Sequence, residues 1–169
     1  DTAAFVVNSP GNPTGAVSSA EDVREFARIA DEYDVLCVSD EVYEYTVFDG
    51  DHRSPVEFAE TDNAGAVTSA SKLFSMTGWR LGYIHAPQEL VDQASKLHSH
   101  SVSCAVNFVQ RAGIEALSER TDDAVVEMRE AFRERRDMLD ELFADHGVDV
   151  PVGDGAFYMM LPVDDDDQT

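Results

Sequence analysis

The sequence is poor in basic residues. It carries 12 lysines and arginines against 34 aspartates and glutamates, which gives a formal net charge of −22 at pH 7. A surface this negative repels phosphate backbones and anionic lipids, so we expect no nucleic acid and no membrane among its partners. The same charge suits high ionic strength, where screening weakens self-repulsion. We interpret the chain as belonging to a salt-adapted, cytoplasmic protein, with an ordinary acidic protein as the alternative.

Cysteines and long apolar runs are also scarce. The two cysteines, Cys37 and Cys104, are too few for a disulfide framework. Cys37 lies in an apolar run that is typical of a core residue, and no apolar run approaches the length of a membrane-spanning helix. The histidines lack metal-ligand spacing, since neighbours such as His98 and His100 diverge on a helix. Four adjacent carboxylates, Asp164–Asp167, do not converge on one point, and we expect no metal site.

Strand-like and helix-like segments alternate along the chain, which predicts an α/β fold. Short apolar runs predict strands at Ala3–Val7, Val35–Val38, Ala66–Ser69 and Arg80–Ala86. Helices are predicted after a cap at Ser18 or Ser19 and at about Pro87–His98, Ala105–Ser118 and Asp122–His146, the last one capped by Gly147. About ten residues separate the last two strands, barely enough for a parallel crossover, so this pair is predicted to be antiparallel within a mostly parallel sheet. A further strand, Ala156–Leu161, is expected in a different domain.

Polar clusters follow three of these strands, where open α/β sheets place their sites. The first is Asn12-Pro13-Thr14-Gly15, and the second is Asp40 with Tyr43 three positions on. Either cluster alone is typical of an ordinary turn. The third, Ser69–Gly82, is more specific, because two hydroxyls, a lysine and an arginine surround a tight reversal flanked by glycines.

Together the three clusters carry a resemblance. The run Ser69-Ala70-Ser71-Lys72-Leu73-Phe74-Ser75-Met76-Thr77-Gly78-Trp79-Arg80-Leu81-Gly82 resembles the pyridoxal-phosphate lysine signature of class I/II aminotransferases (fold type I), and the other two clusters match that family in order and spacing. The resemblance covers essentially the whole chain. It implies the PLP-transferase type I fold, a mostly parallel sheet with one antiparallel strand flanked by helices. Residues 1–125 would form part of the large cofactor-binding domain, and residues 126–169 a long linking helix and the start of a small C-terminal α+β domain.

The resemblance also implies roles for individual residues in binding pyridoxal 5'-phosphate (PLP). Lys72 would hold the cofactor as a Schiff base and later move a proton between two carbons. Asp40 would keep the pyridine nitrogen protonated. Asn12 and Tyr43 would bind the cofactor's phenolic oxygen. Ser69, Ser71 and Arg80 would bind its phosphate.

Each assignment has a simpler alternative. Lys72 could be a surface lysine, Asp40 a turn cap and Arg80 a salt-bridge residue. Glu41 and Glu44, beside Asp40 and Tyr43, are interpreted as solvated or structural rather than catalytic.

The implied activity is transfer of an amino group between an amino acid and a 2-oxo acid. A PLP-dependent β-lyase or synthase of the same fold would share Lys72 and Asp40, and a non-catalytic aminotransferase-like effector module is a third possibility. The family's upstream phosphate-binding helix start and downstream carboxylate-binding arginine have no counterpart here. We therefore expect the chain to be an inactive middle section of a longer enzyme, called the parent enzyme below, that forms a homodimer.

Overall fold

A computed structural model describes residues 2–163; the acidic run Asp164–Asp167, where no metal site is expected, lies outside them. Four strands form one sheet in chain order: β1 (Ala4–Asn8), β2 (Leu36–Asp40), β3 (Ala64–Ser69) and β4 (Gly82–His85). The pairs β1–β2 and β2–β3 are parallel, and β3–β4 is antiparallel. The predicted mixed sheet, with its single antiparallel pair, is confirmed.

Five α-helices accompany the sheet in the described range. They are α1 (Ala20–Tyr33), α2 (Ala70–Leu73), α3 (Gln88–Ser101), α4 (Asn107–Ala116) and α5 (Asp122–Asp145). Three short 3₁₀ turns, Pro55–Glu57, Thr77–Trp79 and Glu119–Thr121, connect other elements. None of the helices within residues 2–163 is both long and apolar enough to cross a membrane.

Helix α1 begins where its capping residues predict. Ser19 is the N-cap: its Oγ accepts from the Asp22 amide at 3.1 Å, and the Asp22 carboxylate accepts from the Ser19 amide at 3.2 Å. This reciprocal pair satisfies amide groups that have no partner inside the helix. One face of α1 is buried through Val23, Ala27 and Ala30. Helix α1 forms the crossover that connects the parallel strands β1 and β2.

Strand β2 is buried on the face that carries Cys37. Cys37 is 0% exposed, and burial, with a smaller contribution from the Glu41 charge, raises the pKa of its thiol to about 11. The thiol therefore stays protonated at neutral pH and behaves as a small apolar residue. The prediction of a core cysteine is confirmed.

The predicted strand Ala156–Leu161 is wrong. Residues 156–161 take part in no β pairing; an isolated bridge joins Val47 to Gly155, the residue just before them. The backbone here bonds to two different loops instead of one strand: the Ala156 amide donates to the Thr46 carbonyl at 2.7 Å, and the Gly155 amide donates to the Gly15 carbonyl at 2.9 Å. Ala156 itself has a left-handed φ of 55°, which interrupts an extended run. The domain division after residue 125 stays a prediction.

Helix α5 is attached to the loop that follows β2. Arg136 donates to the Asp49 carboxylate at 2.8 Å and to the Gly153 carbonyl at 3.2 Å, and its guanidinium lies 4.9 Å from the Phe48 ring centroid. Gly147 follows the helix with φ 74°, and its amide donates to the Ala144 carbonyl at 3.0 Å. This is the terminating role predicted for that glycine. Arg136 thus ties α5, the β2 loop and the segment after α5 together.

Candidate active site

The three parallel strands end side by side at one edge of the sheet. Asn8 at the end of β1 is in register with Asp40 at the end of β2, and Asp40 is in register with Val67 in β3. The Asn8 side chain donates to the Asp40 carbonyl at 3.2 Å and accepts from the Asn12 amide at 2.8 Å. These bonds bring the first polar cluster against the second. This edge is the place where open α/β sheets bind ligands.

The turn after β2 is fixed by backbone contacts with β3. The Glu41 amide donates to the Val67 carbonyl at 2.8 Å, and the Val42 amide donates to the Asp40 carboxylate at 3.3 Å. Tyr43, which follows, is only 3% exposed. A buried tyrosine hydroxyl at a strand end, beside a carboxylate, has its position determined by the fold.

Lys72 lies beside Tyr43. Ser69 caps the short helix α2, its Oγ accepting from the Ser71 amide at 3.3 Å, and Lys72 is the third residue of that helix. The Lys72 ammonium is 5.8 Å from the Tyr43 ring centroid and 5.4 Å from that of Phe157. Within residues 2–163, Lys72 takes part in none of the ion pairs. Its amine is therefore held among aromatic rings and not by a carboxylate.

Ser69, Ser71 and Arg80 border one open cavity of about 840 Å³. Arg80 is exposed, has a left-handed φ of 54°, and uses one terminal nitrogen to donate to the Thr77 carbonyl at 3.0 Å. The other guanidinium N–H groups remain for a ligand. Two hydroxyls and one guanidinium are a donor set that fits a dianionic phosphate, so these residues fit the phosphate of the implied cofactor.

Two aromatic residues that the sequence did not single out complete the surroundings of Tyr43. The hydroxyls of Tyr43 and Tyr158 are 2.6 Å apart, and both Phe157 and Tyr158 pack edge-on against the Tyr43 ring. Burial, followed by the Tyr158 hydrogen bond and charge, raises the pKa of Tyr43, while a hydrogen bond from Asn12 opposes that rise. The Tyr43 hydroxyl is therefore a proton donor at neutral pH. A signal for this contact was available in Gly153 and Gly155, since closely spaced glycines permit close backbone approach.

Glu41, Glu44 and His52 form a further polar cluster at the turn after β2. Glu41 is 5% exposed, and its carboxylate is 3.4 Å from His52 Nε2. Burial pushes the pKa of Glu41 upward, but interactions with its polar neighbours, led by the nearby His52, outweigh burial, and the net pKa is lowered. Burial raises the pKa of Glu44, whose carboxylate accepts from the Thr68 hydroxyl at 3.0 Å.

Glu41 is buried and Glu44 is half-buried. The part of our interpretation that allowed Glu41 to be solvated is wrong, because a carboxylate this buried needs internal partners. Potential ligand atoms of Glu41, Glu44 and His52 lie within 4.8 Å of one another. Within residues 2–163, Glu41 Oε1 and both ring nitrogens of His52 are buried without a hydrogen-bond partner.

The sheet topology and this edge define a class of protein, the fold type I architecture, in which a lysine follows the parallel strand that pairs with the single antiparallel strand. Comparison with known proteins agrees. The structure superposes on a double mutant of Thermus thermophilus aspartate aminotransferase with a TM-score of 0.89 and 41% identity, over 94% of this chain and 42% of that one. An aspartate aminotransferase from Thermotoga maritima gives a TM-score of 0.87 at 33% identity, over 96% of this chain and 43% of that one.

Sequence comparison identifies the family. The model for aminotransferase class I and II matches residues 1–169, and the chain belongs to that family. It is 42% identical over 162 residues to the aspartate/prephenate aminotransferase of Thermus thermophilus, covering 95% of this chain and 42% of the relative. It is 37% identical over 167 residues to aromatic-amino-acid aminotransferase 2 of Thermococcus litoralis, covering 97% of this chain and 43% of the relative. The chain thus spans less than half the length of these relatives.

Proposed function

We propose that this chain forms the cofactor-binding part of a PLP-dependent aminotransferase, which moves an amino group between an amino acid and a 2-oxo acid. The observation that carries the proposal is the position of Lys72. Its amine lies 5.8 Å from the Tyr43 ring centroid, and the helix that carries it is capped by Ser69, a residue of the phosphate-compatible cavity. An amine beside a tyrosine, on a helix whose capping residue borders a phosphate-compatible cavity, suits covalent attachment of PLP.

When bound, PLP supplies an aldehyde that takes up the amino group and a ring that stabilises negative charge at the carbon losing its proton. Ser69, Ser71 and Arg80 would hold the phosphate by charge-assisted hydrogen bonds. Asp40, on the neighbouring strand end, would retain a positive charge on the ring nitrogen. Tyr43 would donate to the ring oxygen, and Lys72, once its amine is released, would move the proton.

Two features bear on substrate and assembly. Relatives of this chain carry names that include aspartate, prephenate and aromatic amino acids, so these compounds are the first to assay as amino donors and acceptors.

Large apolar side chains on α4 and the preceding loop are exposed, with Phe108 at 65% and Ile114 at 74%. Such faces need covering by further chain or by a partner, and we propose that the parent enzyme is a homodimer.

The two lysines of the chain offer a matched comparison. Lys72 and Lys96 occur in the same tetrapeptide, Ala-Ser-Lys-Leu, at residues 70–73 and 94–97. Lys96 lies on α3 and donates to Gln93 at 3.4 Å, on the protein surface. Because the local sequence is identical, any difference between the two lysines comes from the fold.

The experiment measures transamination by the parent enzyme, with identification of the products. We expect Lys72→Ala to reduce turnover by about 10²–10⁴-fold or more, since it removes the proton-transfer group, and Lys96→Ala to have no effect. Formation of an eliminated or cyclised product, with no amino acid formed from the 2-oxo acid, would assign the chain to a lyase or synthase. Equal activity of both variants would refute the proposal.

A further inference from the structure

The hydroxyl pair of Tyr43 and Tyr158 is the strongest contact of the site that has no role in the function proposed above. The two oxygens are 2.6 Å apart across 115 positions of sequence, at the short end of the range for hydroxyl hydrogen bonds. The rings meet edge to face, with centroids 5.7 Å apart. A contact this short between distant segments requires both backbones to be held in place.

Backbone contacts hold Tyr158 in place. The Gly155 amide donates to the Gly15 carbonyl at 2.9 Å, next to the Asn12 turn, and the Ala156 amide donates to the Thr46 carbonyl at 2.7 Å, just after Tyr43. A Cβ on Gly155 would lie 2.8 Å from the Thr46 oxygen, so this approach depends on glycine. The segment that carries Tyr158 is therefore bonded to both turns that carry the residues expected at the cofactor's phenolic oxygen.

The two hydroxyls can share their hydrogen bond in either direction. Each hydroxyl has one proton to donate and can also accept. If Tyr43 donates to the cofactor's ring oxygen, it has no proton left for Tyr158, and Tyr158 must then donate to Tyr43. A donor bonded to the oxygen of Tyr43 polarises that hydroxyl and makes it a stronger donor. The other charged and titratable groups near Tyr43 are Asp40 and Lys72.

We propose that Tyr158 is a positioning residue that acts through Tyr43: its hydroxyl orients the Tyr43 hydroxyl and strengthens the hydrogen bond that Tyr43 gives to the cofactor's phenolic oxygen. The proposal rests on the function proposed above. It predicts a measurable consequence for the colour of the bound cofactor. A stronger donor at the phenolic oxygen favours the ionised form of that oxygen and lowers the pH at which the visible absorption band changes.

The experiment titrates the visible band of the PLP-loaded parent enzyme with pH. Tyr158→Phe keeps the ring that packs against Tyr43 and Phe157 and removes only the hydroxyl. We expect the pH midpoint to rise by about 0.2–0.6 units, the size of a cooperative contribution of 10–30% to a charge-assisted hydrogen bond. Tyr45→Phe, at a tyrosine that is 50% exposed in the same turn, serves as the control and should leave the midpoint unchanged.

The same substitution in a Tyr43→Phe variant tests whether Tyr158 acts on the cofactor through Tyr43. In Tyr43→Phe the midpoint should already be raised, and adding Tyr158→Phe should raise it no further, because the hydroxyl through which Tyr158 acts is gone. An unchanged midpoint in Tyr158→Phe, or an equal shift in both backgrounds, would overturn this proposal while the bound cofactor still supports the proposed function. Absence of a visible band in the unaltered parent enzyme would overturn both.

Discussion

Substitution of Gly153 by alanine should push the segment that carries Tyr158 away from the turn around Gly15. A Cβ at Gly153 would lie 2.7 Å from both the Cα and the carbonyl oxygen of Gly15. Ordinary van der Waals contact begins at 3.4 Å, so the segments must move apart by about 0.7 Å to remove the overlap. Both sides of this contact are backbone, and no side-chain rotation can relieve it.

The structure gives two magnitudes for this variant. Overpacking of this kind destabilises a protein by about 1–3 kcal/mol. In a domain of 150–250 residues, each kcal/mol lowers the thermal midpoint by about 2–4 °C. If the whole displacement reaches Tyr158, its 2.6 Å hydrogen bond to Tyr43 lengthens to about 3.3 Å, beyond the usual hydroxyl range. Gly153→Ala should therefore raise the pH midpoint of the cofactor band as Tyr158→Phe does.

Calorimetry and pH titration of the parent enzyme measure both effects. Gly78→Ala is the matched control, because a Cβ at Gly78 has nothing within 4 Å, and it should change the unfolding free energy by less than about 0.5 kcal/mol. A Gly153→Ala protein with the thermal midpoint and pH midpoint of Gly78→Ala would refute the close backbone contact and its role in placing Tyr158.

Two further predictions concern carboxylates at the end of β2 and in the turn that follows it. In the parent enzyme, Asp40→Asn should slow single-turnover proton abstraction by about two to four orders of magnitude, a loss of roughly 3–5 kcal/mol, while Asp40→Glu recovers part of the rate; a near-normal rate for Asp40→Asn would leave Asp40 as a turn cap. Because burial raises the pKa of Glu44, its ionised form destabilises the fold at neutral pH. Glu44→Gln should thus raise the thermal midpoint at pH 7, and that gain should vanish as the pH falls below the ordinary glutamate range near 4.5. Glu127→Gln, on the exposed face of α5, changes the net charge equally and should give no such pH-dependent gain.

Local patterns predicted most of the fold. The capping pair Ser19 and Asp22 and the glycine after α5 act within a few residues, so the sequence shows their geometry directly. The antiparallel pair was predicted from the length of the connection between its strands, since the stretch between β3 and β4 is barely long enough for a parallel crossover. The stretch 156–161 has the composition of a strand, but its backbone bonds to loops around Gly15 and Thr46, a tertiary effect that composition does not reveal.

The candidate site was predictable to the extent that it lies in motifs near strand ends. Asp40 and Lys72 each follow a buried strand, and parallel pairing brings such ends together. Tyr158 could not be predicted in the same way, because its place depends on a glycine contact between segments more than a hundred residues apart. Burial of Glu41 was missed for a similar reason: its partner His52 lies in a loop whose path the sequence does not show.

The most direct test of the account is the site of covalent attachment of PLP. The loaded parent enzyme is reduced with borohydride, digested, and the modified peptide identified by mass spectrometry. The structure predicts loss of the visible band and an adduct on Lys72, with Lys96 unmodified although it lies in the same Ala-Ser-Lys-Leu sequence. An adduct on Lys96, on any lysine outside this chain, or on no lysine at all would contradict the central claim.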